Sequence, residues 1–369
     1  MKKVFVGLSG GVDSSVAALL LCQQGYKVIG VYMKNWTKDL PGMPCPWKED
    51  FTDAKRVAVQ LGIDFKVYDF EKQYFQKVVK YMLEGFKAGF TPNPDIMCNQ
   101  EIKFKLFLET ALEDGADLIA TGHYANAKNG KLLKAKDENK DQTYFLHRVS
   151  KEALQKTLFP LGELTKPQVR ELAKKYKLAT ADKKESMGIC FVGKVSIKDF
   201  LQQYIKQKPG KAIDQSGKAI GEHEGAFFYT IGQRHGLEIG GGLPYYVVGK
   251  DMKKNEVYVS TDLQDDRLWS NQIKFTAAHW INTNETPLRG FSSLVGKADV
   301  CGQARFSPGE LYVRTRHRAK LIPVKKLNPP VADNSQWTAF LEEEVRALTP
   351  GQSAVFYSGE ECLGGGIVM

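Results

Sequence analysis

The sequence predicts an α/β protein in three parts: an N-terminal doubly wound parallel sheet, a small β-rich central domain and a C-terminal β-barrel-like domain. Short apolar runs alternate with helical patterns through the first 120 residues, the rhythm of parallel strands joined by helices. After Pro209-Gly210 the pattern changes to short alternating runs bounded by Gly, Asn and Asp, which reads as antiparallel β-structure. The length, 369 residues, suits two or three domains at roughly 150 residues each. The expected divisions are 1–206, 207–271 and 272–369.

Each element has a local reason. Val4–Leu8 is a short apolar strand, and Ser14–Gln24 is an apolar helix that Gly25 is placed to end. Val28–Met33 is the second strand, Thr52–Leu61 the second helix with Gly62 after it, and Phe65–Phe70 and Leu118–Thr121 are further strands. Helical patterns cover 71–88 and 99–113. Lys166–Tyr176 has Thr165 as N-cap and Pro167 in its first turn, and another helix runs from Ser196 to Tyr204. Strands are expected at Ala226–Ile231, Tyr245–Val248, Val257–Ser260, Glu310–Val324, Trp337–Leu341 and Ser353–Tyr357.

Composition excludes whole classes. Hydrophobic residues at 43% and charged residues at 25% rule out a disordered or fibrous chain. No apolar run approaches the ~18 residues a membrane span needs, and Met1-Lys2-Lys3 leads straight into a strand with no signal-peptide core. The expectation is a cytoplasmic, monomeric protein with no membrane partner. Lys and Arg number 52 against 42 Asp and Glu, an excess that suits a polyanionic partner. The six cysteines, at 22, 45, 98, 190, 301 and 362, show no metal-ligand spacing and no disulfide framework.

Chemistry enters at Gly7-Leu8-Ser9-Gly10-Gly11-Val12-Asp13-Ser14, between the first strand and first helix. Adjacent glycines let backbone approach an anion, and the N–H groups and dipole of the next helix attract it. Ser9 and Ser14 add hydroxyl donors, and Asp13 is placed to orient the loop or meet a metal. No Gly-Lys-Ser/Thr and no GxGxxG occurs here, so neither a Walker A loop nor a dinucleotide fingerprint is present. Cys98 follows a proline-stiffened stretch and precedes a helix expected to open near Asn99, where a thiolate is favoured. Cys190 lies in an apolar stretch with a glycine at each end. On spacing alone, either thiol reads as core packing or as a reactive group.

The loop resembles the SGGxDS pyrophosphate loop of ATP pyrophosphatases. Further motifs follow in order: Thr-Pro-Asn-Pro-Asp-x-x-Cys-Asn (91–99), Ala-Thr-Gly-His-Tyr (120–124), Lys-Asp-Gln-x-Tyr-Phe-Leu (140–146), Gly-Ile-Cys-Phe-Val-Gly (188–193), Gly-Gln-Arg-x-Gly-Leu (232–237) and Thr-Pro-Gly-Gln-Ser-Ala-Val-Phe-Tyr (349–357). Across essentially the whole chain this is similar to the bacterial-type tRNA-specific 2-thiouridylases. The resemblance implies a PP-loop domain of the adenine nucleotide hydrolase-like kind and sulfur-for-oxygen exchange at C2 of the wobble uridine, position 34, in tRNAs for Lys, Glu and Gln. It implies ATP with Mg2+, adenylation of the C2 oxygen, and a sulfur donor such as a cysteine desulfurase or relay protein. By the same resemblance, Cys190 carries a persulfide and Cys98 is the nucleophile that releases its terminal sulfur, leaving a transient Cys98–Cys190 disulfide. Asp95 is the nearest acid/base, and Asn93, Pro94 and Asp95 meet the target base. Residues 7–14, Met33 and Gly122 hold ATP, while His123, Lys140, Asp141, Gln142, Arg316, His317 and Gln352 touch tRNA. Met33, at the carboxyl end of the second strand, favours the site on position, with core packing as the alternative, and His123 could instead be a satisfied surface histidine.

Residues 303–326 hold seven Lys or Arg and one Glu. Tyr312, Arg314, Arg316 and Arg318 alternate as one strand face would, giving either a row of phosphate contacts or a solvated face. Two other activities stay open on the residues. One is a different ATP-dependent ligase with the same loop, amidating or forming lysidine; the other is a thiolase holding an iron–sulfur cluster on Cys98, Cys190 and a further ligand.

Overall fold

A computed structural model describes residues 1–39, 45–184, 196–234, 236–237, 244–282, 304–305, 309–330 and 335–369. Cys190 therefore lies outside the described residues, as does Cys301.

The N-terminal region is built on β1 (Lys3–Gly7), β2 (Lys27–Lys34), β3 (Asp64–Asp69), β4 (Leu118–Ala120), β5 (Asn126–Lys128), β6 (Lys131–Leu133) and β7 (Thr157–Leu158). Five of these form a parallel sheet in the order β3-β2-β1-β4-β7, winding outward in both directions from β1. The strand order reverses between β1 and β4, the place where open α/β sheets bind ligands beyond the carboxyl ends of their strands. Helix α1 (Val12–Gln23) follows β1 and is buried along most of its length, which accounts for its nearly uniform apolar sequence. Gly25, at φ +80°, ends the chain's turn after it, and α2 (Trp47–Leu61) ends on Gly62 at φ +64°.

Two later helices depart from the expected bounds. The helix carrying Cys98 opens at Pro94, not near Asn99, and runs through Pro94–Met97, Cys98–Leu106 and Phe107–Glu113 without a break. Asn93 caps it, its Oδ1 accepting from the N–H groups of Asp95 and Ile96 at 3.1 and 3.3 Å. Cys98 is thus more than a turn inside the helix, and the dipole argument for its thiolate weakens accordingly. The helix Lys166–Lys175 matches its expected cap, with Thr165 and Gln168 forming a reciprocal capping box.

The central strands are β8 (Gly210–Ile213), β9 (Ala219–His223), β10 (Tyr246–Asp251) and β11 (Glu256–Ser260), in the order β10-β11-β8-β9. Ala226–Ile231, expected as a strand, instead holds a short 3-10 turn at Ala226–Phe228. Gly225 precedes it at φ +150°, and Ala226 N–H donates to Asn255 Oδ1 at 2.9 Å instead of to a strand neighbour.

The C-terminal strands are β12 (Trp269–Trp280), β13 (Ala304–Arg305), β14 (Tyr312–Arg314), β15 (Ile322–Asn328), β16 (Trp337–Arg346), β17 (Ser353–Ser358) and β18 (Glu361–Val368). The sequence β12-β16-β15-β14-β17-β18 returns to β12 through a β12–β18 pairing, which closes a six-stranded barrel and removes its edges. The β5–β6 hairpin of the first region adds onto β18, with Leu133 opposite Glu361 and Leu132 opposite Cys362. Tyr357, Val355 and Cys362 of the barrel share one apolar core with Leu132, Tyr144 and Cys98. The barrel and the parallel-sheet region are therefore welded together. The expected Glu310–Val324 strand is two strands with a turn between them, in which Arg318 takes φ +63°.

Candidate active site

The loop after β1 is held open by its own hydroxyls. Ser14 Oγ accepts from Ser9 N–H at 3.2 Å and donates to the Gly11 carbonyl at 3.1 Å. Ser15 Oγ donates to that same carbonyl at 2.8 Å and accepts from Thr180 Oγ1 at 2.9 Å. Gly10 has φ +76°, and a Cβ there would strike the Asp50 carbonyl. Gly11 occupies the cap position of α1 with no side-chain bond to the first turn, so the amide groups of that turn face the cleft unspent.

Gly122, just past β4, presses on the same turn: a Cβ would lie 2.6 Å from Ser14 N and 2.8 Å from the Asp13 carbonyl carbon. Only a glycine lets the end of β4 approach the helix this closely. Met33 lies across β1, its Cε 2.9 Å from where a Gly7 Cβ would stand. Asp13 is already engaged. Lys166 Nζ donates to both its oxygens at 2.7 and 2.8 Å, and Tyr124 Oη donates to Oδ1 at 2.8 Å. Of its two anticipated roles, orienting the loop matches this geometry.

A cleft of about 410 Å3 opens over this loop. Its walls bring together Gly7, Leu8, Ser9, Gly11, Val12, Asp13, Ser14, Met33, Gly122, His123, Lys140, Gln142 and His317 from the sequence-predicted set. They add Arg318, the last of the alternating basic residues, and residues that sequence reasoning missed, among them Asn35, Trp36, Lys103 and Lys166. Arg318 and His317 come from the barrel, so two regions build one cleft.

His123 is a buried residue, not a surface one. Its Nδ1 pairs with Thr121 Oγ1 at 2.8 Å, and its ring packs on Phe104 and Phe159. Burial, aided by the nearby Lys103 charge, holds it well below the usual histidine range, hence neutral. The His317 ring lies tilted against Phe145 at 4.7 Å, and burial together with Arg318, Arg314 and Lys140 lowers it to about 4. The positive charge of the cleft therefore comes from its Lys and Arg side chains.

Other predicted residues lie outside the cleft. Asp141 is buried, accepting from Ala135 N–H and Thr143 Oγ1 at 3.1 and 2.7 Å, with Arg314 at 3.5 Å. Desolvation raises its carboxyl. Arg316 donates to the Ala347 carbonyl at 2.6 Å and to Thr349 Oγ1 at 3.2 Å. Arg314 lies over the Tyr357 ring, so the alternating arginines do not form one exposed strand row. Gln352 Nε2 donates to the Thr91 carbonyl at 2.7 Å, and Thr91 N–H donates to Pro350 O at 2.8 Å. The Thr91–Asn93 approach to the Cys98 helix is thereby clasped by the barrel. Cys98 itself is 1% exposed, three residues beyond Asp95 and so on the same helix face. Among the described residues no cluster of three His, Cys, Asp or Glu side chains has the geometry of a metal site, and no helix is long and apolar enough to cross a membrane.

Comparison with known proteins agrees along the whole chain. Residues 2–194 match the tRNA methyl transferase HUP domain, 198–261 the tRNA methyl transferase PRC-barrel domain and 270–368 the aminomethyltransferase beta-barrel domain. The tRNA-specific 2-thiouridylase MnmA of Bacillus subtilis (strain 168) is 47% identical over 371 residues, spanning 99% of this chain and 94% of that protein. Its counterpart in Bacillus anthracis is 46% identical at the same coverage. A solved 4-thiouridine synthetase–RNA complex with bound ATP is 19% identical with a TM-score of 0.36, covering 55% of this chain and 50% of that one, and bears no weight here.

Proposed function

Because the chain belongs to the tRNA-specific 2-thiouridylase family, we propose that it replaces the C2 oxygen of the wobble uridine, position 34, of tRNA with sulfur, using ATP. It is an ATP-dependent tRNA sulfurtransferase. The observation that carries the site reading is the cleft over the uncapped start of α1, walled by Gly7, Gly11 and Gly122 on one side and by cations on the other.

A uridine carbonyl oxygen is a poor leaving group. In the first step it attacks the α-phosphorus of ATP, a C2–O–P link forms and pyrophosphate departs. The α1 amides and the cleft's lysines stabilise the charge gathering on the phosphates. Mg2+ would arrive with ATP and neutralise phosphate oxygens. Asp13, with both oxygens taken by Lys166 and Tyr124, does not suit it as a ligand. In the second step a persulfide on Cys190 delivers sulfur. The Cys98 thiolate bonds to the Cys190 sulfur, the terminal sulfur is released as hydrosulfide, and that sulfur displaces AMP from C2. The product is a Cys98–Cys190 disulfide, which an external thiol must reduce. Asp95 assists proton movement from the same helix face.

The burial of Cys98 supports a closure model in which RNA docking re-orders the clasped 91–97 segment before sulfur moves. Asn93, Pro94, Asp95, Lys140 and Gln142 would then meet the anticodon. Asp141, Arg316 and Gln352 would act by holding loops for RNA. The same reading takes tRNAs for Lys, Glu and Gln as substrates, a persulfide-carrying protein as donor, and the cytoplasm as the location. The domain divisions are placed near 206 and 271, while the matched regions divide at 194–198 and 261–270. Mass analysis of uridine from tRNA incubated with the protein, ATP and a sulfide source tests the proposal. Sulfur gain must require ATP and Cys190; thiolation that persists in the Cys98→Ser, Cys190→Ser double variant refutes it.

A further inference from the structure

The cleft wall holds a polar residue that the phosphate loop does not use, Asn35. Asn35 Oδ1 is buried and has no hydrogen-bond partner among the described residues, and Asn35 is part of the cleft wall. A buried amide oxygen left without a donor is costly, so its retention calls for a ligand that supplies one.

Strand geometry explains where it points. Alternate residues of an extended chain share a face. Lys34, the last residue of β2, turns away to Asp69 and Glu71 at 2.8 and 2.7 Å. Met33 and Asn35, on either side of Lys34, both line the cleft. Met33, Trp36 and Trp47 supply apolar surface to the same cleft. Trp36 is itself fixed, its Nε1 donating to the Lys38 carbonyl at 2.8 Å and its ring stacked on Phe75. Aromatic and thioether surface suits a heterocyclic base, with the phosphates at the start of α1 on the same reading.

We propose that Asn35 is the adenine-selecting residue: its Oδ1 accepts a hydrogen bond from the exocyclic 6-amino group of ATP, with the base against Met33 and Trp36. This rests on the reading of the cleft as the ATP site and adds the basis of its nucleotide choice. A carbonyl acceptor there pairs with a 6-amino group and opposes the 6-oxo group of guanine or hypoxanthine, two acceptors being brought face to face.

Calorimetric binding of ATP, ITP and purine riboside triphosphate to the full-length protein tests it, with Asn35→Leu and Asn35→Asp alongside. The wild type is expected to bind ATP about tenfold more tightly than purine riboside triphosphate, which lacks only the amino group, the effect of about 1.4 kcal/mol, and to bind ITP more weakly still. Asn35→Leu should bind all three alike. Asn35→Asp, which keeps an acceptor oxygen, should retain the ATP-over-purine preference at lower absolute affinity. If the wild type binds ATP and purine riboside triphosphate equally, or if Asn35→Leu keeps the full preference, the assignment is wrong while the ATP site stands. If the wild type binds none of the three, the cleft reading fails and this assignment with it.

Discussion

Replacing Gly122 with Ala adds one methyl group where the chain has no space for it. The new Cβ would stand 2.6 Å from Ser14 N and 2.8 Å from the Asp13 carbonyl carbon, both backbone atoms at the start of α1. Ordinary contact needs about 3.4 Å, so the first turn of α1 must retreat from β4 by roughly 0.8 Å or the end of β4 must tilt away. Overpacking of this kind costs about 1–3 kcal/mol of stability. The larger effect is on chemistry, because the displaced turn carries the amides that would face the phosphates in the proposed site. A misplacement of about 1 Å at a reacting centre costs on the order of a hundredfold in rate. Pyrophosphate release with saturating tRNA and ATP is the assay, with urea unfolding run on the same preparations. The expected result is a rate loss of one to two orders of magnitude beside a modest fall in the unfolding midpoint. A Gly122→Ala protein with wild-type pyrophosphate release would show that the β4–α1 approach does not set the phosphate geometry.

Lys166→Met leaves the Asp13 carboxylate with one fewer partner in a site where the two side chains are 11% and 33% exposed. Discounted for that exposure, a loss of about 1 kcal/mol is expected, and a double-mutant cycle with Asp13→Asn should show coupling of similar size; additive effects would dissolve the pair. His147 is fully buried and burial holds it down to about 3. Its contribution is therefore complete above pH ~6.5, where the unfolded histidine is also neutral, and is lost as pH falls below that, at up to about 1.4 kcal/mol per unit. Urea unfolding between pH 7 and 5 should show a shallower slope in His147→Phe, and an unchanged slope would exclude this residue as the source. Gln352→Ala removes the donor to the Thr91 carbonyl, so amide exchange of Thr91 and Asn93 should quicken severalfold while exchange in β1 stays as it was; equal protection at 91–93 would show that the clasp is idle.

Much of the architecture was legible because it is local. The Thr165 cap, Gly25 and Gly62 each announce a helix end within a few residues, and the phosphate loop is contiguous. One local signal went unread: Asn129-Gly130, both at positive φ, is the turn of the β5–β6 hairpin that joins the first region to β18. The remainder is written at long range. Lys166 reaches Asp13 across 153 residues, and no periodicity around Lys166 points there. The arginine alternation misled because a tight turn at Arg318 breaks the strand that alternation implies. His123 read as a surface residue since the rings that bury it, Phe104 and Phe159, come from distant elements.

Those long-range contacts bear on how two chemical steps are kept in order. The helix bearing Cys98 and Asp95 begins at a cap, Asn93, whose approach is held by Pro350 and Gln352 of the barrel and by Thr230 of the central region, 3.2 Å from Thr91. The barrel also sends His317 and Arg318 into the cleft wall. Any RNA that shifts the barrel loops therefore acts on both the nucleotide wall and the cysteine helix, through contacts already present before it docks. A buried thiol is protected from oxidation and stray electrophiles while no RNA is bound. In the proposed reaction, coupling its release to RNA docking would restrict sulfur transfer to the interval in which an activated uridine is in place to receive it.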